Sequence, residues 1–199
     1  MFTPKPFHAP LVVWPLMKAG RLGRIAGLPL VRGRGAGALL HANVPLSFWG
    51  GVDPDTGRVI DVKHPLHGEC VTSSVLAIPN GRGSCTGSQV VLELLVRGAA
   101  PAAILLRESD DIISLGAIVA EEIFGIAPLP VVSLGPEGFD RARSGGYASV
   151  DSDGLVHLFE DSRDAARVLI QRTERPICVE LFAKRVVVIQ ANVHLSCYN

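Results

Sequence analysis

The residues best suited to chemistry fall in one short stretch, Asn80-Gly81-Arg82-Gly83-Ser84-Cys85-Thr86-Gly87-Ser88. Arg82 can pair bidentately with a carboxylate or phosphate, and the glycines let the backbone approach such an anion closely. Ser84 and Ser88 put hydroxyls at the same place. The chemistry implied is recognition of a small anion at Arg82, Gly83 and Ser88, with a serine at hand. The same residues also fit a plainer purpose, a tight turn at Gly81 and Gly83 with Ser84, Thr86 or Ser88 capping a helix. Spacing alone leaves both open. The stretch lacks the Gly-Lys-Ser/Thr ending of a phosphate-binding loop, and it has no histidine beside its hydroxyls to serve as a phosphohistidine.

Other reactive side chains are less well placed. His64 and His67 stand three apart beside Glu69, but Pro65 prevents the helical geometry that would make them a metal pair, so His64 is expected at most to face a substrate. Asp53, Asp55 and Asp61 lack the twelfth-position glutamate of a calcium loop and are interrupted by Pro54, which leaves a surface turn. In Gly33-Arg34-Gly35-Ala36-Gly37 the third glycine is misplaced for a dinucleotide fingerprint. Asp110 and Asp111 precede an apolar helical run, where acids ordinarily serve as dipole partners.

These groups must be positioned by regular elements. Residues 70–78 carry β-branched side chains and stop at Pro79-Asn80-Gly81, which predicts a buried strand. Val90, Val91, Leu94 and Leu95 recur at helical spacing, with Gly98 where a C-terminal cap belongs. Residues 103–106 predict a second strand, 115–124 a helix ended by Gly125, and 130–134 a third strand. Strand, helix, strand, helix, strand implies parallel pairing, so the fold class is α/β with a parallel-sheet core. The reactive stretch then sits beyond the carboxyl end of a strand and at the start of a helix, where ligands bind in open parallel sheets. Residues 31–41 and 59–62 read as shorter β pieces, 139–143 as a short helix, and 147–159 as a hairpin around Asp151-Ser152-Asp153-Gly154. A helical stretch over 162–171 and an apolar run at 186–189 follow.

The chain has 199 residues, 48% of them hydrophobic, enough for one domain with tails, and its 19 basic and 19 acidic residues cancel. Balanced charge gives no argument for nucleic acid or an acidic membrane. The basic residues before Asp53 are what an import signal would need, but Pro4, Pro6, Pro10 and Pro15 would interrupt its helix, and the apolar run at 11–17 is far short of the roughly 20 residues that span a bilayer. A soluble cytoplasmic protein is expected. Cys70, Cys85, Cys178 and Cys197 are scattered without metal-finger spacing and are expected as reduced thiols.

Several long motifs occur together: Pro45-Leu46-Ser47-Phe48-Trp49-Gly50-Gly51-Val52-Asp53-Pro54, Thr56-Gly57, His64-Pro65-Leu66, and Gly81-Arg82-Gly83-Ser84-Cys85-Thr86-Gly87-Ser88. With Ala100-Pro101-Ala102-Ala103, Leu115-Gly116-Ala117-Ile118-Val119-Ala120 and Pro130-Val131-Val132, they resemble the swivel part of aconitase X over residues 30–135. The resemblance implies a swivelling β/β/α domain over 25–160, preceded by an extension over 1–24 and followed by a tail over 161–199. It implies a hydro-lyase component that needs an aconitase X large subunit, a small anionic hydroxy-acid substrate, and Ser84 as the base that removes the substrate proton. It also implies an iron–sulfur cluster on the large subunit and no metal or cofactor in this chain. Two activities are known for the family, dehydration of cis-3-hydroxy-L-proline to pyrroline-2-carboxylate and dehydration of mevalonate 5-phosphate. Residues 139–145 resemble the fused form of the former, which is the activity expected here. Residues 170–199 do not resemble the start of the fused large part, so a noncatalytic swivel module stands as the rival.

Overall fold

The computed structural model describes residues 21–142 and 146–160. Of the extension expected over 1–24, residues 1–20 lie outside the described residues and 21–24 belong to the first strand, while the tail over 161–199, with its helical stretch and apolar run, also lies outside them.

The strands are β1 (Arg21–Ala26), β2 (Leu28–Val31), β3 (Gly35–His41), β4 (Val75–Ile78), β5 (Ala103–Leu106), β6 (Val131–Ser133), β7 (Tyr147–Val150) and β8 (Leu155–Phe159). The helices are α1 (Thr86–Arg97), α2 (Asp111–Phe124) and α3 (Gly135–Ala142). The order across the eight-stranded sheet is β1-β8-β7-β3-β4-β5-β6-β2. The pairs β3–β4, β4–β5 and β5–β6 are parallel, and the other four are antiparallel. The expected parallel α/β unit is therefore its centre, with α1 and α2 as crossovers.

Alternation along the central strands explains the two layers that cover them. In β4, Leu76 and Ile78 enter one apolar cluster and Val75 and Ala77 another; in β5, Ile104 and Leu106 divide from Ala103 and Leu105 in the same way. A strand's side chains point alternately to the two faces, so strands apolar throughout need cover on both. On one face Val90, Val91 and Leu94 of α1 and Ile113 and Ala117 of α2 provide it, and on the other Phe139 of α3 with Val150, Val156 and Leu158 of β7 and β8.

The outermost strands in the sheet order, β1 and β2, are separated in the chain by Gly27 alone. The sheet therefore curls until its two ends meet. The Gly27 N–H donates to the Gly154 carbonyl at 3.0 Å. A Cβ at Gly27 would overlap Val132 Cγ1 and stand 2.9 Å from the Ser133 carbonyl, so only glycine lets the chain cross from β8 to β6. β3 joins the layers in another way, because Gly35–Ala38 pair with β7 and Leu39–His41 with β4.

Some sequence expectations need correction. The strand expected over 70–78 covers only Val75–Ile78, because residues 71–74 turn, with Ser73 at φ 57°. The piece expected over 59–62 is no strand, since only isolated bridges, Val52 with Val59 and Arg58 with Cys70, form there. α2 begins at Asp111, four residues ahead of the expected start. The hairpin over 147–159 and the left-handed caps at Gly98 and Gly125 match the expectation.

Candidate functional site

β4 and β5 end side by side at Ile78 and Leu106, and each leads through a loop into a helix. The loop after β4 carries Arg82, Gly83 and Ser84, all exposed, and enters α1 through Cys85. Cys85 already has helical angles, φ −53° and ψ −17°, no side chain caps α1, and no acid lies in its first turn. The helix-capping alternative for this stretch is therefore not what the serines do. Ser84 Oγ instead lies 3.1 Å from Thr86 Oγ1, and the Ser88 hydroxyl donates to the Cys85 carbonyl at 2.6 Å. The positive end of α1 is left uncompensated beside the Ser84 hydroxyl.

The loop is pinned before it reaches the serine. Gly81 bridges Leu46, the Arg82 N–H donates to the Leu46 carbonyl at 3.0 Å, and the Gly81 N–H donates to Asp110 Oδ2 at 2.8 Å. Gly83 takes φ 127°, open only to glycine without strain, and this turns Ser84 into the helix. Asp110 is itself the N-cap of α2, its Oδ1 accepting from the Ile112 and Ile113 amides at 2.9 and 3.0 Å. Phe48, Arg82, Ser84, Asp110 and Ile113, with the loop glycines, line an open cleft of ≈ 230 Å³ including its mouth.

Arg82 is 60% exposed and paired with Asp61, Nη2 to Oδ2 at 2.9 Å. Asp61 is held below its ordinary value of 3.8 chiefly by the Lys63 amide, which donates to Oδ1 at 3.0 Å, and further by Arg82, against the opposing cost of burial. The guanidinium is thus stationed at the cleft while most of its surface stays in solvent.

His64 is not brought to the cleft. It is 4% exposed, its Nδ1 accepts from the Leu66 amide at 3.2 Å, and its Nε2 lies 3.1 Å from the Val44 carbonyl. The neutral Nε2–H form satisfies both, so the ring ties residues 44 and 66 together in the loop that carries Asp61. Sequence reasoning gave Thr86 no role beside Ser84 and gave Asp110 no contact with the reactive loop. The helix-start position of Asp110 was a signal; its link to Gly81, 29 residues away, was not. Among the described residues there is no group of three or more His, Cys, Asp or Glu side chains placed to hold a metal ion, so this region offers no donor set that fits a cluster. Cys70 and Cys85 are free thiols.

Fold and site together define a mixed α/β domain whose parallel centre carries, at its carboxyl edge, an open cleft lined by Arg82, Ser84 and Asp110. The aconitase X swivel domain matches residues 24–158, and the chain belongs to that family. The chain is 55% identical to a cis-3-hydroxy-L-proline dehydratase of Pseudomonas aeruginosa over 133 residues, 67% of this chain and 22% of the relative. It therefore spans about a fifth of that protein's length. It is 38% identical to the phosphomevalonate dehydratase small subunit of Thermococcus sibiricus, covering 69% of this chain and 99% of that one. A crystal structure of Thermococcus kodakaraensis aconitase X in holo form superposes with TM-score 0.60 at 33% identity, over 69% of this chain and 99% of that chain.

Proposed function

We propose that this chain is the swivel component of an aconitase X hydro-lyase that dehydrates cis-3-hydroxy-L-proline to pyrroline-2-carboxylate, with Ser84 as proton acceptor. The observation that carries the reading is Ser84, hydrogen-bonded to Thr86 at the uncapped start of α1, with Arg82 lining the same cleft. A serine hydroxyl is a weak base, and it removes a carbon-bound proton only where its alkoxide is stabilised. The Thr86 hydroxyl, the amides at the start of α1 and Arg82 are the groups here that do so. Arg82 and Gly83 contact the substrate carboxylate, Ser88 keeps its hydroxyl on the Cys85 carbonyl and away from the cleft lining, and His64 acts from a distance by fixing the loop of Asp61. The C–H electron pair becomes the new carbon–carbon double bond as the α-proton passes to Ser84 and the substrate hydroxyl leaves as hydroxide; an iron–sulfur cluster on the large part would supply the Lewis acid that takes it.

The site is half-built in this chain. Ser84 and Arg82 are exposed, and water at an open cleft screens the interactions that would favour an alkoxide. A covering part is required, and Trp49 and Val62, 67% and 75% exposed on the loop that Asp61 ties to Arg82, are the apolar side chains offered to it. The substrate is assigned on the 55% identity to the hydroxyproline enzyme. The chain acts in the cytoplasm, where its thiols stay reduced.

A second reading, a phosphomevalonate dehydratase small subunit, is favoured by the match along almost the whole of the Thermococcus sibiricus subunit. The test mixes the purified chain with an iron-reconstituted aconitase X large part and follows both substrates. Turnover of cis-3-hydroxy-L-proline that depends on this chain is expected. Turnover of mevalonate 5-phosphate alone would replace the substrate, and no turnover of either by a folded chain would leave a noncatalytic swivel module.

A further inference from the structure

We infer that Asp110 is a positioning residue for Ser84, its carboxylate holding the serine loop against the start of α2; the inference rests on the reading of Ser84 as the proton acceptor. Asp110 divides its two oxygens between separate tasks. Oδ1 takes the first free amides of α2, those of Ile112 and Ile113, and Oδ2 takes the Gly81 N–H across the cleft. Capping α2 needs one oxygen. The second therefore does something a cap does not require: it joins the loops after β4 and β5, which the sheet alone aligns only as far as Ile78 and Leu106.

Backbone bonds from Arg107 and Glu108 to the Pro79 carbonyl and from Arg82 to that of Leu46 hold the base of the loop, and Asp110 adds a side-chain hold at Gly81 itself. Between the Arg82 amide, bound to Leu46, and the first residue of α1 lie Gly83, with its own turn at φ 127°, Ser84 and the N-cap Cys85. A shift of Gly81 is passed through that glycine to Ser84 with no side-chain packing to absorb it, because residues 82–85 are all exposed. Reacting groups must hold position closely for proton transfer to compete. A hydrogen bond to a charged acceptor is the stronger kind, so the carboxylate is a firmer anchor than a carbonyl would be.

Asp110→Asn separates the two tasks. Asparagine caps helices as well as aspartate does, but its single amide oxygen can serve α2 or Gly81 and not both. Two measurements are made on the full chain. In the free protein, hydrogen exchange at the Gly81 amide is expected to accelerate about tenfold or more, the scale of losing a bond to a charged acceptor, with the melting transition little changed. In complex with the large part, kcat is expected to fall by about tenfold or more with KM held within about twofold, the mark of lost alignment rather than lost binding. Unchanged exchange at Gly81 would show that the link does not restrain the loop. Faster exchange with unchanged kcat would show that the restraint does not position the serine. Either overturns the inference while wild-type turnover stands. A wild-type chain that supports no turnover overturns the proton-acceptor reading and this inference with it.

Discussion

Ser84 and Arg82 carry opposite requirements, and the residues around them meet each separately. As a base, Ser84 needs donors at its oxygen, and the Thr86 hydroxyl 3.1 Å away and the uncapped start of α1 are the groups beside it; Arg82 needs to be held while its charge stays available, which Asp61 does from one side. Ser84→Ala removes the hydroxyl proposed as proton acceptor without disturbing a cap or a buried contact. Turnover in the reconstituted complex is expected to fall by about 10²–10⁴-fold, the range for a general base, with the melting temperature and affinity for the large part unchanged. Retained turnover would remove Ser84 from the mechanism. Asp61 makes a pH prediction. Its acidity is enhanced in the fold, first by the Lys63 amide and then by Arg82, so the ionised form favours the folded state. That contribution is complete above its ordinary value of 3.8 and is lost as pH falls through the lower folded value. Denaturation of Asp61→Ala and wild type from pH 7 to pH 3 is expected to show a gap at neutral pH that closes below the ordinary carboxylate range, about 4. A gap that widened toward acid would contradict the assignment.

At the scale of elements, the closure of the sheet at Gly27 is the feature most exposed to a single change. Gly27→Ala would drive a methyl into Val132 Cγ1 and toward the Ser133 carbonyl, forcing β2 away from β6 or β1 from β8. A loss of about 1–3 kcal/mol is expected in denaturant unfolding, as for other overpacked interiors. An unchanged midpoint would mean that the two ends of the sheet are held less closely than at Gly27 here. Nothing local announces this closure, since it joins strands from opposite ends of the fold. β5, the β7–β8 hairpin and the glycine caps were legible because their signals are local: an apolar run of strand length, a turn sequence, a glycine after a helical period. The shortened β4 was not legible, because Cys70, Val71 and Thr72 have strand-like side chains in backbone that turns around Gly57 and Ala99. At the site, the placement of Ser84 ahead of α1 was readable from strand, loop and helix order. The engagement of both His64 nitrogens by backbone was not, because Val44 lies 20 residues earlier.

For the whole molecule, the question is which face meets the rest of the enzyme, and two exposed apolar surfaces compete. One is the loop tied through Asp61 to Arg82, where Trp49 and Val62 are exposed. The other is the outer face of α2, where Leu115 and Ile118 are exposed. The proposed function chooses between them: a base in an open cleft acts only if a covering part excludes water there, which favours a partner seated on the loop beside Arg82. No such requirement falls on α2. Trp49, on that loop and 67% exposed, is a large aromatic side chain of the kind that dominates interface energies. Trp49→Ala is expected to weaken binding of the large part about tenfold or more, equivalent to about 1.4 kcal/mol, with the isolated chain's melting temperature unchanged because the indole is in solvent. Ile118→Asp, the contrasting variant on α2, is expected to bind as wild type does. Titration of each by calorimetry decides the matter. Weakening by Ile118→Asp with Trp49→Ala unaffected would put the partner on the helical face, leave the Ser84 cleft uncovered, and remove the physical basis for a base at that position.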